Sequence, residues 1–364
     1  MQADSGHLLR TAGARFYAGF RVVQWPLLAL ALIFLFNLVF MPDFFTISVR
    51  NGRLVGSLVD MLKRASPRMI IALGMTLVIA TEGIDVSVGS VAAIAAGLSV
   101  MVIRGGDISY LAPQTVSTVP ILFIVAVAIL GGMLAGLFNG ILVAKVRIQP
   151  IVATLILMVT GRGIAKLITG GYVLNYDHPQ FEQLGSGAIF GLPFPVVIAV
   201  GVMILLALVT RMTPFGLFIQ STGGNDLASW YSGLNTQLVR LLVYIVSGVC
   251  AAIAGIIITA DVKSADPSTM GLWIELEAIL CVVMGGTSLK GGRFTFAGTI
   301  IGALIFQTVI TTLLTRGFPV EYTLIVQALV VVVVLILGSD RVKNLQSRRS
   351  SISTAKASGE ARNG

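Results

Sequence analysis

An all-α, polytopic membrane protein of about ten transmembrane helices, some of them short or broken, is the fold class this sequence predicts. Three observations lead there. Hydrophobic residues make up 56% of the 364-residue chain and charged residues only 11%, outside the range of water-soluble domains. The apolar residues fall in runs long enough to cross a bilayer. Lys and Arg collect in the short segments between runs and in the tails, which is the footprint of membrane orientation. That placement, rather than the net charge of +9, decides against nucleic acid as a partner and makes lipid the surroundings.

Allowing about twenty apolar residues per helix, spans are expected at 22–41, 68–81, 86–103, 119–144, 150–169, 193–210, 238–260, 275–286, 295–315 and 320–338. The 68–81 and 275–286 pieces would rise only about 21 and 18 Å, less than a ~30 Å hydrocarbon core. Residues 1–21 form an N-terminal arm, 22–340 the transmembrane body, and 341–364 a Ser-, Arg- and Lys-rich tail expected to be disordered. The first run has a long arm and no small-residue cleavage site, and reads as a retained span. An even count puts both tails on one side. With that side as the cytoplasm, inside segments hold 15 of the 25 Lys and Arg, and 105–118 and 170–192 hold none. The 42–67 segment, with Arg50, Arg53, Lys63 and Arg64, is the exception and is expected to lie along the outer surface.

The run from Met69 to Ile103 is interrupted by Glu82-Gly83-Ile84-Asp85-Val86-Ser87-Val88-Gly89-Ser90. An acid at a helix centre in lipid costs about 2.5–3.5 kcal/mol, and a glycine-rich break frees backbone groups that hydrocarbon cannot satisfy. Such a break must sit at a membrane face or inside protein, and interrupted helices mark transporters. A second segment, 211–238, is the longest polar stretch on the inner side. In it Asn225 or Asp226 can cap a short helix, Gly233 can end it, and Leu227, Trp230, Tyr231 and Leu234 share its apolar face. This helix can dock on a partner protein or rest on headgroups. A third segment reads Gly285-Gly286-Thr287-Ser288-Leu289-Lys290-Gly291-Gly292-Arg293. It is not a phosphate-binding P-loop, whose Gly-x-x-x-x-Gly-Lys-Ser/Thr string occurs nowhere in the chain, so any energy from ATP requires a separate subunit.

Gly132, Gly136 and Gly140 share one helix face, as do Gly298 and Gly302, the pattern of close helix packing. Polar groups in apolar surroundings are candidates for the lining of a path: Asn139, Gln149, Thr154, Arg162 and Gln307, with Lys166, Asn175, Glu275 and Glu277 beside them. Glu275 and Glu277 lie near the outer end of their span, where snorkelling to water is the alternative to a lining role. No metal site can be assembled from His7 and His178, Cys250 and Cys281 read as buried thiols, and no catalytic constellation is present.

Together these three segments resemble the permease subunits of bacterial carbohydrate ABC importers, the branch that includes ribose, xylose and galactofuranose systems. Leu73 to Gly89 looks like that family's most specific signature, although the family usually has glycine where Glu82 stands and leucine where Val86 stands. Gly223 to Asn235 is similar to its cytoplasmic docking loop, and Gly285 to Arg293 to its later glycine-rich signature, with Phe294 at a frequent glycine position. Asn51 to Leu54, Gln149 to Met158 and Gly271 to Ile279 bring the resemblance nearest to galactofuranose-type permeases, and it covers Leu54 to Gly338. It implies a multi-pass subunit of the bacterial inner membrane that catalyses nothing itself and holds no cofactor. Its implied partners are an ATPase subunit carrying ATP and Mg²⁺, a second permease chain, the same or paralogous, and a periplasmic sugar-binding protein. Gly224, Asn225, Asp226, Ala228, Ser232, Gly233 and Asn235 would couple to the ATPase. Glu82, Gly83, Asp85, Ser87, Gly89, Gly285, Gly286, Gly291 and Gly292 would form the signature loops. The alternative is an ion-driven secondary transporter with Glu82 and Asp85 as coupling groups. A membrane scaffold is disfavoured by the broken spans.

Overall fold

The structure, a computed structural model, describes residues 5–50, 52–109 and 118–319 and six positions between 322 and 332. The span expected at 320–338 and the tail at 341–364 fall outside the described residues as elements. Twelve helices are described: α1 Ser5–Phe40, α2 Ser57–Ala80, α3 Val88–Ile103, α4 Ile121–Ala144, α5 Pro150–Thr169, α6 Pro179–Ser186, α7 Phe194–Met212, α8 Phe215–Gly224, α9 Asp226–Tyr231, α10 Thr236–Val262, α11 Ile274–Met284 and α12 Phe296–Thr315. Strand structure among the described residues is confined to three two-stranded antiparallel ribbons in the connections.

Among the described residues, six helices are long and apolar enough to cross a membrane: the Val23–Phe40 part of α1, α4, α5, α7, α10 and α12. They match the expected spans to within a few residues. Of the two spans expected to be short, 275–286 is one: α11 has only 11 residues. α3, at 16 residues, is also short, which was not expected. The other expected short span is a correction. α2 has 24 residues and begins at Ser57, so Asp60, Lys63 and Arg64 occupy its first two turns instead of a surface-lying loop. These charges hid the helix start from an apolar count. The N-terminal arm is likewise continuous with the first span, in one helix of 36 residues.

A helix that is apolar on every side belongs inside protein. α2 obeys this: every residue from Met69 to Ala80 is buried except for the small exposure left at Met69. It is packed by α7, α10, α11 and α12, while α3 lies among α4, α5 and α10. α1, α4, α5 and α7 form the outside and expose large apolar side chains such as Leu32, Leu122, Val159 and Leu205. In hydrocarbon such exposure costs nothing, because lipid is as apolar as leucine.

The glycine ladder on α4 packs on α10. A Cβ on Gly136 would lie 2.4 Å from the Tyr244 carbonyl oxygen, and one on Gly248 would lie 2.2 Å from that of Gly132. Gly298 and Gly302 do the same between α12 and α11, against Gly285 and the Cys281 carbonyl. Both stripes are packing surfaces.

Candidate functional site

The three segments singled out by sequence, far apart along the chain, meet at one point at one end of the bundle. α2 ends at Ala80, and the chain turns through Thr81–Ser87 before α3 begins. The Ala80 carbonyl, left over at the helix end, accepts from the Gly292 N–H at 2.9 Å. Gly223, near the end of α8, closes the junction: a Cβ there would lie 1.8 Å from the Ala80 carbonyl oxygen and 2.7 Å from the Gly292 nitrogen. Gly291 sits equally close to Glu82 and to the Gly223 carbonyl. Backbone therefore packs on backbone at a site where no side chain fits.

Glu82 is exposed and has φ 61°. The left-handed region is where glycine is at home, which gives a physical reason for the glycine usual in the resembled family. Gly83 packs under the Tyr244 ring hydroxyl, 2.7 Å from where its Cβ would be. Asp85 is 1% exposed and fully engaged. Its Oδ1 accepts from the Ser87 N–H at 3.0 Å and the Ser87 hydroxyl at 2.6 Å, and its Oδ2 accepts from the Ser247 hydroxyl on α10 at 2.8 Å. Asn139 on α4 donates to the Ser87 hydroxyl oxygen at 2.8 Å and reaches Asp85 at 3.4 Å. Thr154 on α5 accepts from the Val86 N–H at 3.3 Å and donates to the Ile84 carbonyl at 3.2 Å. These bonds specify one geometry, and the Asn139 Oδ1 and Tyr244 hydroxyl beside them are buried without a partner. The break is a polar knot tying α3, α4, α5 and α10. An exposed Glu82 and an enclosed, fully bonded Asp85 make a poor ion-coupling pair.

The expected path-lining residues separate into distinct roles. Asn139 and Thr154 belong to this knot. Arg162 donates to the carbonyls of Met270 at 2.5 Å and Pro267 at 3.3 Å, fastening the turn that leads into α11. Gln149 is exposed at the start of α5, apart from the others. Gln307 lies in the other half of the bundle, where it accepts from Arg68 at 2.7 Å. Gly89 packs against Gly271 and Glu275. Glu275 is buried and Glu277 is ion-paired with Arg68, so neither snorkels from its helix end. Sequence reading passed over Arg68 and Asp261 and gave Lys63 only a place on the surface. The one-turn spacing of Arg64 and Arg68 behind the Gly56-Ser57 start was the signal that could have found them.

The 211–238 segment is more helical than expected, since α7 and α8 are parted only by Thr213-Pro214. Asn225 caps α9, its Oδ1 accepting from the Ala228 N–H at 2.9 Å, and Gly233 with φ 85° ends it. The Ser232 hydroxyl donates to the Ala228 carbonyl, and Asn235 caps α10. Asp226 pairs with Arg240 on α10 at 3.4 Å, and the Ser221 and Ser229 hydroxyls bond at 2.8 Å. The stripe of α9 is bare: Leu227 is 70% exposed and Tyr231 85%. Gly224 faces open space, whereas Gly285 packs on Gly298 and Gly286 turns the chain with φ 88°.

The family described as branched-chain amino acid transport system / permease component matches residues 57–335. The chain belongs to this permease family. The permease is 46% identical over 337 residues to the galactofuranose transporter permease protein YtfT of Escherichia coli (strain K12), covering 90% of this chain and 95% of the relative. It is 36% identical to the fructose import permease protein FruF of Bifidobacterium longum (strain NCC 2705), over 93% and 94% of the two chains. With the ribose import permease protein RbsC of Escherichia coli (strain K12) it shares 34% identity, over 91% and 98%. No solved structure matches. The permease is thus a multi-pass membrane component of a transport system and not an enzyme, and permeases of this family work with ATPase and substrate-binding partners. The ion-coupled alternative finds no support in this kinship.

Proposed function

We propose that the chain is the membrane permease subunit of an ATP-binding-cassette importer for a monosaccharide, seated in the bacterial cytoplasmic membrane. It forms half of a translocation path with a second permease chain. A periplasmic sugar-binding protein delivers to one face, and an ATPase holding ATP and Mg²⁺ docks on the other. The observation that carries this reading is the α9 helix: capped at both ends, apolar, exposed, and joined through α8 to the α2–α3 break. The names of the similar permeases support a sugar as cargo.

The residues suggest how force would travel. A push on α9 reaches α10 through Asp226 and Arg240. The same helix carries Ser247, which holds Asp85. A push on α8 reaches Ala80 and Gly292 directly through Gly223. Both routes end on the break, so the ATPase would act on the place where the central helix is interrupted. The permease then needs two conformations and only transient contact with cargo, since a ligand shifts a two-state equilibrium by its differential affinity.

Purifying the tagged chain from its native membrane in mild detergent tests this. An ATPase subunit should accompany it and be lost when residues 224–235 are scrambled. A chain that comes out alone and transports in liposomes under an ion gradient would sink the proposal.

A further inference from the structure

Two hairpins stand together at the start of α2, a whole helix length from the Ala80 junction at its end. One pairs Ala188–Ile189 with Leu192–Pro193, and the other pairs Ser48–Arg50 with Arg53–Val55. The Leu54 N–H donates to the Gly191 carbonyl at 3.0 Å, and the Arg53 guanidinium donates to the Ser186 carbonyl at 3.2 Å, so the two hairpins are bonded into one piece. That piece is seated on α2. Gly56, which precedes the helix, packs so closely on Thr46 that a Cβ would lie 2.3 Å from the Thr46 carbonyl oxygen. The first hairpin is closed by Phe190-Gly191, with φ of 52° and 82°. Two left-handed residues in a two-residue loop make a type I′ turn, which favours Asn-Gly. A bulky side chain is an outlier in this conformation, and that of Phe190 is 100% exposed. A residue unsuited to its own turn that buries nothing within the chain points to use outside it.

We infer that the paired hairpins are a lipid anchor: the Phe190 ring enters the boundary between headgroups and acyl chains, Val49 enters beside it, and Arg50 and Arg53 meet lipid phosphates. Position and charge favour lipid over a protein partner. The spans that flank the piece, α1 ending at Phe40 and α7 starting at Phe194, belong to the outside of the bundle. Val197, Val200 and Ile204 expose one apolar face of α7. Phe190 precedes that helix by four residues, so the apolar surface continues past the helix end. Ile47 and Val49, on the α1 side, are exposed as well. Residues 183–210 carry no charge, and residues 44–59 carry Arg50 and Arg53 with no acid. The nearest acids along the chain, Asp43, Asp60 and Glu182, lie outside both hairpins. Apolar side chains joined by basic ones, with no carboxylate among them, suit a segment lying at an anionic headgroup surface. The anchor has a mechanical consequence. With its start held by lipid, α2 cannot ride along when its other end, packed on Gly223 through Ala80, is displaced.

The test is depth-dependent quenching in the full chain, reconstituted in vesicles of phosphatidylcholine and phosphatidylglycerol. Cys250 and Cys281 are buried and give a low background. Phe190→Cys carries a polarity-sensitive nitrobenzoxadiazole label. Leu205→Cys, exposed at the middle of α7, carries the same label as the hydrocarbon reference, and labelled free cysteine is the water reference. Phosphatidylcholine spin-labelled near the headgroup should quench the Phe190→Cys label several-fold more than iodide in the water does. It should also quench that label more than phosphatidylcholine spin-labelled at the chain end, an order that Leu205→Cys should reverse. A Phe190→Cys label that iodide quenches as fully as free labelled cysteine, and that spin-labelled lipid leaves untouched, would overturn the inference and make the hairpins a protein-docking knob. Quenching strongest from the chain end would overturn it too, because the turn would then lie in hydrocarbon. If Phe190→Cys does not reconstitute, Val49→Cys, at a position 69% exposed on the neighbouring hairpin, gives the same reading.

Discussion

At Glu82 the backbone and the side chain want different residues. Its left-handed φ costs a non-glycine residue about 1–2 kcal/mol, and nothing in the structure compensates through its exposed carboxylate. Glu82→Gly should therefore raise the thermal midpoint of the purified chain by an amount equivalent to about 1 kcal/mol, less what glycine loses through the freer unfolded chain. A lower midpoint would mean that the carboxylate makes a contact in the assembled complex. Asp85 is the opposite case, an acid that three neighbours require. Asp85→Ala leaves Ser87, Ser247 and Asn139 with buried donors unsatisfied, at about 1–3 kcal/mol for each group that finds no substitute. We expect a clear loss of thermal stability, and transport to fall with it. Asp85→Asn, which keeps the volume and one acceptor oxygen, should retain ATP-driven uptake at an unaltered dependence on ion gradients. Uptake that becomes insensitive to an imposed gradient only in Asp85→Asn would revive ion coupling. The sequence alone exposed the oddity of both acids, but their opposite environments could not be read from it, because burial of Asp85 depends on residues 54 and 162 positions away.

Among the elements, the α4–α10 seam and the α8–α2 junction make separate predictions. Gly136→Val would drive a side chain into the Tyr244 carbonyl, and overpacking of this kind costs about 1–3 kcal/mol. The expected outcome is less folded protein in the membrane, seen as a lower fluorescence-detected monodisperse peak. Gly223→Ala is a subtler change with a different readout. Its Cβ has no room between Ala80 and Gly292, so α8 must shift away from the break. Expression and ATPase co-purification should survive while sugar uptake falls at least ~10-fold, a loss that corresponds to about 1.4 kcal/mol in the coupled step. Equal uptake by the variant would show that the junction carries no force. The element inventory was mostly legible, because apolar length reports spans directly. α2 was the exception, since its first turns carry Asp60, Lys63 and Arg64, and an apolar count cannot see a charged helix start.

For the molecule as a whole, the informative fact is convergence. Each signature segment could be located in the sequence, and the glycines said that backbone comes close to something. Only the fold shows that they come close to one another, since Ala80, Gly223 and Gly292 lie more than 60 residues apart along the chain. Gly233 lets this be tested at the level of the assembled transporter. Its φ of 85° and open surroundings mean that Gly233→Trp strains the end of α9 without filling any cavity. ATP hydrolysis by the complex should persist while sugar moved per ATP drops, measured together in proteoliposomes. The lines along which glycine meets glycine, Gly285 on Gly298 and Gly89 on Gly271, have a further consequence. Interlocked side chains resist sliding because each must leave its rotamer well before its neighbour can pass. Bare main chain has no teeth to disengage. The Gly285–Gly298 contact is a plain bearing, so small translations of α11 along α12 meet no interlocked side chains there, and a single methyl group placed on either surface would act as grit.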